Sequence, residues 1–446
     1  RFTTHWWRCG RYCVITVVTA AAPLTITSLS LDETRYPLEM TGRLETPDAG
    51  LPAVVALCVR GLQMCSHETY LDCPYYEQLM YVGDTRLELL TTYVTTDDDR
   101  LARQALRLLD ASRVNWGFVN ERYPCREPQH SVTFALLWAL VLRDYAWWRN
   151  DPAFVCDRLI GLRSMLEHCA PYRNSDGLLE GLPGWSFIDW VPEWEMGCAP
   201  DGQPGVSSLN NLLYVLALQA ATDLEALAGE PLLARRYTQQ ARVTGRAIVA
   251  RFWDRRRGLV ANELAHATFS EHGQALALLS GVVTGARAWR VLRGLLEASD
   301  LHRASHYFSF YVFEALRAMG QGQRILPQLA RWKAMVAQGC RTPPETYEPS
   351  RSDCHAWSSQ PLFHLYATIA GIRPASPGFR TVRIEPQLGD WPRIAGALPH
   401  PNGAIEFDFD ARRCRATVIL PAGIHGTLLW QACEVPLTPG RQEIDL

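Results

Sequence analysis

The sequence predicts a mainly α protein, an (α/α)6 barrel of six helical hairpins flanked by β-sandwich segments at both ends. Three observations point there. Apolar residues recur at helical spacing for about three hundred residues, beginning near Leu51. Several connections between those helices are long, acidic and aromatic. Toward both ends of the chain the helical period gives way to β-branched runs and to alternation.

The N-terminal β reading covers residues 1–46. Segments 11–18 and 24–31 are rich in β-branched residues with little helical period, and 35–43 reads as extended. They are expected to be the last strands of a β-sandwich domain whose earlier strands lie upstream, since the chain starts at Arg1 without an initiator methionine. Residues 12–22 superficially resemble a signal peptide, but the run is too short to span a membrane. The expected compartment is the cytoplasm, with secretion as the alternative. Thirteen cysteines, an odd number in no regular framework, suit reduced thiols there.

The barrel reading covers residues 47–373. Roughly twelve helical segments are expected, at 51–64, 84–96, 99–113, 131–148, 152–168, 206–228, 232–253, 269–280, 284–299, 305–319, 322–337 and 358–370. Stops are clear at Gly229-Glu230-Pro231 and Gly320-Gln321-Gly322. Residues 171–205, rich in Gly, Pro and Trp, form a connection long enough to imply a functional role. Paired helices permit an open solenoid or a closed toroid. The segments share no repeat signature, and a toroid would gather the acidic, aromatic connections at one mouth, so the toroid is favoured.

The C-terminal β reading covers residues 374–446. Segments 379–386, 404–409, 415–420 and 426–430 alternate, separated by turns at Pro401-Asn402-Gly403 and Pro421-Ala422-Gly423.

Composition narrows the function. Of 446 residues 48% are hydrophobic and 20% charged, which describes a globular protein with a substantial core. A net charge of -2 gives no electrostatic case for nucleic acid or an anionic membrane. Lys333 is the only lysine, a bias toward arginine that reads as genomic coding rather than binding. Cys58, Cys65, His67 and Cys73 match no usual zinc spacing, so neither metal nor cofactor is expected. The oligomeric state stays open. Fifteen tryptophans and sixteen tyrosines leave a surplus suited to stacking on carbohydrate.

Four connections carry the candidate chemistry. In the stretch from His67 to Arg86, Asp72, Glu77 and Asp84 sit among Tyr70, Tyr75, Tyr76 and Tyr81. The others are Arg122 to His130, Gly184 to Glu195, and Arg341 to Ser358. Rings cover the apolar faces of a pyranose, carboxylates hold its hydroxyls, and a poorly hydrated carboxyl can keep its proton at neutral pH. Cleaving a glycosidic bond needs one carboxylic acid for the leaving oxygen and a second carboxylate to attack or to activate water. Glu77 and Glu345 are the pair chosen, against the plainer reading of each as a surface or capping glutamate. Asp72 and Asp84 are candidate hydroxyl anchors, although Asp84 could instead cap a helix beginning at Thr85. Trp185, Trp190 and Trp357 are candidate stacking platforms with buried core as the competing outcome, and His355 is a candidate hydroxyl partner.

At these residues the chain resembles the bacterial α-L-rhamnosidases of glycoside hydrolase family 78. Asp72-Cys73-Pro74, then Glu77, then Gly83-Asp84 is similar to that family's acidic signature. The resemblance implies that Glu77 is the general acid and that Asp72 and Asp84 bind the sugar ring. The stretch 339–345 resembles the segment ending in the family's general base, which implies that role for Glu345. Cys354-His355-Ala356-Trp357-Ser358 is similar to the motif that follows, and Ile188-Asp189-Trp190 resembles the family's Gly-Asp-Trp loop, adding Asp189 to the binding set. The resemblance spans residues 10 to 430 or so. It implies an (α/α)6 catalytic barrel, an inverting mechanism with carboxyls about 6.5–9.5 Å apart, and release of terminal α-L-rhamnose from a glycan or glycoside. The chain departs from the pattern at Tyr76, at Met80-Tyr81 and at Pro344, and Glu348 lies close enough to rival Glu345. The alternatives are a six-hairpin glycosidase for another sugar, or an inactive carbohydrate-binding protein.

Overall fold

In the computed structural model, which describes residues 6–203, 205–431 and 433–445, the helices are α1 (Leu51–Met64), α2 (Val82–Thr95), α3 (Arg100–Ala111), α4 (Val132–Trp148), α5 (Pro152–Glu167), α6 (Ser208–Leu227), α7 (Pro231–Phe252), α8 (Glu271–Leu279), α9 (Gly285–Glu297), α10 (Ser309–Ala318), α11 (Ile325–Gln328), α12 (Ala330–Ala337) and α13 (Pro361–His364). Their burial sorts them into two layers. α4 carries apolar residues on every side and is buried from Val132 through Leu142. α3 buries one stripe, Leu101, Ala102, Ala105, Leu106 and Leu109, and α9 another, Ala288, Val291, Leu292 and Leu295. A helix apolar all round has to be enclosed, and a striped one covers it. Thus α2, α4, α6, α8 and α10 lie inside, each packed on the next, with α3, α5, α7 and α9 outside. α13 packs on α1 and α2, and its Phe363 ring lies 5.8 Å from that of Phe310 on α10.

Serine starts three of the inner helices. The side chains of Ser131, Ser207 and Ser270 accept from the backbone N–H groups of Phe134, Leu209 and Gly273, satisfying donors that a helix start leaves free.

The expected helices from 51–64 to 305–319 fall on α1 to α10. The last two expected segments are broken. In 322–337, Pro327 lacks an N–H and its ring crowds the preceding turn, so a 3₁₀ turn and α11 precede α12. In 358–370, Pro361 opens the four-residue α13, and a π-turn at Leu365–Ile369 follows.

The strands are β1 (Arg43–Glu45), β2 (Trp253–Asp254), β3 (Leu259–Val260), β4 (Ile372–Pro374), β5 (Thr381–Ile384), β6 (Arg393–His400), β7 (Gly403–Asp410), β8 (Arg415–Leu420), β9 (His425–Trp430), β10 (Cys433–Leu437) and β11 (Gly440–Asp445). Apart from the β2–β3 ribbon they form two C-terminal sheets, ordered β1-β6-β7-β8-β11 and β10-β9-β5-β4. Ile405, Phe407 and Phe409 alternate inward on β7, as do Ala416, Val418 and Leu420 on β8. β6, which sequence reading missed, is Arg-Ile-Ala-Gly-Ala-Leu-Pro-His, with small residues where alternation would be read.

The N-terminal expectation requires correction. Residues 11–18 and 24–31 form no strand; a β run needs a partner ladder, and 6–42 contain none among the described residues. Residues 1–5 of that segment lie outside the described residues. β1 pairs antiparallel with β6, Arg43 opposite Ala397, so it is an edge of the C-terminal sheet.

Candidate active site

The connections at one end of the helices are stitched to one another in order. Backbone bridges join Tyr81 to Arg122, Ser131 to Gly184, Ser207 to Glu263 and Ser270 to His302. Tyr347 Oη donates to the Ala304 carbonyl at 2.9 Å, and Arg351 reaches Glu77. Six connections distant in sequence thus share one rim. They enclose a cleft of about 430 Å³ lined by Asp72, Glu77, Asp84, Glu345, His355 and a wall of Phe134, Trp185, Phe187, Trp190 and Trp357. That volume lies within the usual range of about 300–1,000 Å³ for small-molecule sites.

Asp72 sits on the cleft floor, 2% exposed. Its Oδ1 accepts from the Leu79 N–H at 3.0 Å, and its Oδ2 from the Cys73 thiol at 3.1 Å. Burial pushes its carboxyl up to about 7, with Asp84 and Glu77 adding to the effect and His355 opposing it. The loop between Asp72 and Leu79 turns through Gln78 at φ +57°. For a residue with a Cβ this conformation costs about 1–3 kcal/mol. The Gln78 N–H donates to the Cys73 carbonyl at 3.1 Å and the side chain to the Pro74 carbonyl at 2.9 Å, which hold the turn that presents Glu77.

Glu77 is gripped at both oxygens. Tyr81 Oη donates to Oε2 at 2.6 Å and Arg351 Nη2 to Oε1 at 2.6 Å, while Arg122 Nη1 donates to Tyr81 Oη at 2.8 Å. Burial favours the protonated carboxyl, but Tyr81 and Arg351 outweigh it and hold Glu77 below the usual glutamate range. Across the cleft, Glu345 Oε1 accepts from Trp190 Nε1 at 3.0 Å, and the Glu345 carbonyl from Trp357 Nε1 at 2.7 Å. Its Oε2 lies 3.7 Å from Arg351 Nε, so one guanidinium spans both glutamates.

Asp84 does not cap a helix. α2 begins at Val82, two residues earlier than expected, and Tyr81 holds the capping position without a side-chain bond. The Asp84 carboxylate instead meets His355 Nε2 at 3.0 Å, both residues being buried. Burial opposes charge on His355, but the bond to Asp84, together with Asp72 and Glu345, raises its pKa above the ordinary value. Gly83 makes this close packing feasible: a Cβ there would lie 2.5 Å from the Phe134 ring and 2.8 Å from Tyr307 Oη.

Eight of the nine expected site residues meet in the cleft. Asp189 does not. It is fully buried, its Oδ2 receiving the Ser305 N–H at 2.8 Å and lying 2.7 Å from His272 Nε2, while Ser305 Oγ donates to Oδ1. Asp189 therefore braces the loop that carries Trp190. Glu348 is exposed and accepts from the Ser350 N–H, whereas Glu345 lines the cleft. Sequence reasoning passed over Arg351 and Glu121, both cleft residues. Arg351 stands within the Arg341 to Ser358 connection without any signal of its own, and Glu121 directly precedes the connection that starts at Arg122.

Asp72, Cys73 and His355 bring potential metal-ligand atoms within 4.8 Å of one another. A thiolate would be required there. Burial and then Asp72 push the Cys73 thiol up to about 12, and that thiol already donates to Asp72, so this group suits a hydrogen-bonded floor rather than a cation. Among the described residues no helix is long and apolar enough to cross a membrane.

Residues 39–369 match the family model of the bacterial alpha-L-rhamnosidase 6 hairpin glycosidase domain. The chain belongs to this family. The family domain covers α1 to α13, and all the cleft residues fall within it. The structure resembles that of the family 78 rhamnosidase of Bacillus sp. GL1, with a TM-score of 0.78 and 25% identity over 88% of this chain and 43% of the other. It also resembles an α-L-rhamnosidase from Aspergillus terreus (TM-score 0.78, 17% identity, 92% of this chain and 50% of that one). A third is the Streptomyces avermitilis α-L-rhamnosidase complexed with L-rhamnose (TM-score 0.77, 16% identity, 92% and 42%). The last two likenesses concern the fold. This family member spans half or less of the length of these three proteins. No curated protein matches it.

Proposed function

We propose that this protein is an inverting exo-glycosidase that releases terminal α-L-rhamnosyl residues from oligosaccharides or glycosides. In this reading the inner and outer helices close as an (α/α)6 barrel over residues 47–373, with the two sheets as a C-terminal β domain joined by β1. The observation that carries the proposal is the pair Glu77 and Glu345 facing one aromatic cleft across a shared Arg351. The guanidinium between their facing oxygens keeps the two carboxyls apart, as an inverting pair with a water between them, about 6.5–9.5 Å apart, requires.

Glu77 protonates the glycosidic oxygen, and Glu345 takes a proton from a water on the opposite face of the sugar. Trp190 and Trp357 orient Glu345 by donating to its side chain and backbone. Asp72 and the Asp84–His355 pair hold ring hydroxyls; His355, favouring its cationic form, balances the surrounding acids. An acid that must deliver a proton is poorly served by a neighbouring cation, and Arg351 lies where the scissile bond and water have to sit. Entry of the sugar therefore displaces Arg351, which is half exposed, and leaves burial and Tyr81 to govern Glu77.

Membership of the family and the likeness to the Bacillus sp. GL1 rhamnosidase support the choice of rhamnose. A panel of nitrophenyl glycosides tests it. Turnover of the α-L-rhamnoside with initial release of β-L-rhamnose is expected; turnover of another glycoside alone would replace the sugar, and an α product would replace the mechanism.

A further inference from the structure

Glu121 is a fifth carboxyl in the cleft, and the mechanism above does not use it. Its backbone is pinned on both sides: its carbonyl accepts from the Val82 N–H at 2.9 Å and its N–H donates to the Gln129 carbonyl at 2.9 Å. This fixes it beside the start of α2, which carries Asp84, and next to the bridge that joins Tyr81 to Arg122. The residue is 1% exposed and lines the cleft, yet its Oε2 is sealed from water and has no hydrogen-bond partner. A buried carboxyl without a partner costs about 1–3 kcal/mol, and one that lines a binding cleft is suited to meet a ligand group. Burial also holds the Glu121 carboxyl well above the usual range, with Asp84 and Glu77 adding to this and Arg122 opposing it. Burial thus favours the protonated carboxyl, a form that can donate as well as accept.

We propose that Glu121 is a sugar-binding and specificity-determining residue, whose carboxyl hydrogen-bonds one ring hydroxyl of the glycosyl unit held between Glu77 and Glu345. The assignment rests on the carbohydrate reading of the cleft. A site built to bond one hydroxyl discriminates against sugars that lack it far more strongly than an apolar pocket does. Glu121 therefore contributes to which sugar is accepted, at a position outside the acidic signature of Asp72, Glu77 and Asp84.

The test uses the full chain as wild type, Glu121→Gln and Glu121→Leu. Binding of L-rhamnose and its monodeoxy analogues is measured by calorimetry, nitrophenyl α-L-rhamnoside turnover by kinetics, and unfolding by thermal melting. Gln keeps shape, donor and acceptor, so its affinity should stay within about threefold, whereas Leu should weaken rhamnose binding about tenfold or more. One deoxy analogue should lose affinity for wild type and not for Glu121→Leu, which identifies the hydroxyl. Melting separates a structural role: removing an unsatisfied carboxyl should leave the Leu variant as stable as wild type. Rhamnose binding by the Leu variant equal to wild type, with wild-type turnover intact, overturns the Glu121 assignment alone. Equal losses in Gln and Leu, or a Leu variant that melts well below wild type, overturn it as well. A wild type that neither binds nor cleaves any sugar of a glycoside panel overturns the carbohydrate reading, and the Glu121 assignment with it.

Discussion

Arg351 Nη2 lies 2.6 Å from Glu77 Oε1, with the two residues 274 positions apart in the chain. The same side chain places Nε 3.7 Å from Glu345, so the two glutamates share one cation. Removing that cation should change how Glu77 titrates. Burial favours the protonated Glu77 carboxyl, and Tyr81 with Arg351 reverse the direction. In Arg351→Gln the alkaline limb of the kcat/KM profile, which reports the acid in the free enzyme, should move to higher pH. An unmoved limb would show that Arg351 does not control the acid.

Glu77→Gln should lower kcat by about 10²–10⁴, the usual contribution of general acid catalysis, with KM little altered. The loss should be smaller on a nitrophenyl rhamnoside than on an alkyl rhamnoside, because a good leaving group needs less protonation. Equal losses on both substrates would remove Glu77 from the acid role.

Glu345→Ala should lose comparable activity, and azide should restore turnover by attacking from the face where the water was activated. The product should be the azide of inverted configuration. Rescue with retained configuration, or with Glu348→Ala in its place, would exclude Glu345 as base.

Asp72 links stability to pH. Its carboxyl is pushed up to about 7 in the folded protein, against about 3.9 in an unfolded chain. The folded state keeps the proton longer, so this stability is complete below about pH 4 and is lost as pH rises through about 7. The melting temperature of wild type relative to Asp72→Asn should therefore fall between pH 4 and pH 8. Parallel curves for the two proteins would show that Asp72 titrates normally.

Asp189→Ala should destabilise the fold by several kcal/mol, since each buried hydrogen-bonding group left without its partner costs about 1–3 kcal/mol. It leaves His272 and Ser305 without their acceptor and frees the loop that carries Trp190. Thermal melting checks the stability, and Trp190→Phe provides the comparison in which only the bond to Glu345 is lost.

The helical part of this fold is readable from sequence because it is locally encoded. A fully apolar face in α4, a single stripe in α3, serine caps and Gly-Pro stops each act within a few residues. The acidic and aromatic connections likewise announced a cleft, and the family signature singled out Asp72, Glu77, Asp84 and Glu345. The β pieces were less legible. A strand is satisfied only by its neighbour, so 11–18 and 24–31 look like strands and form none, while the small residues of β6 hide a strand that exists.

Roles within the site belong to tertiary structure, because they depend on what faces each group. The sequence places Asp84 beside a helix start; only the fold brings His355 to it. The sequence puts Asp189 next to Trp190 in a sugar-like motif; the fold turns its carboxylate inward to Ser305 and His272. Arg351 between two glutamates, and Glu121 with an unpartnered carboxyl at the cleft lining, arise from loops that meet around one rim. Spacing along a chain determines which helix face a residue occupies, whereas charge, burial and hydrogen bonding at a site are sums over segments that only the folded protein brings within reach.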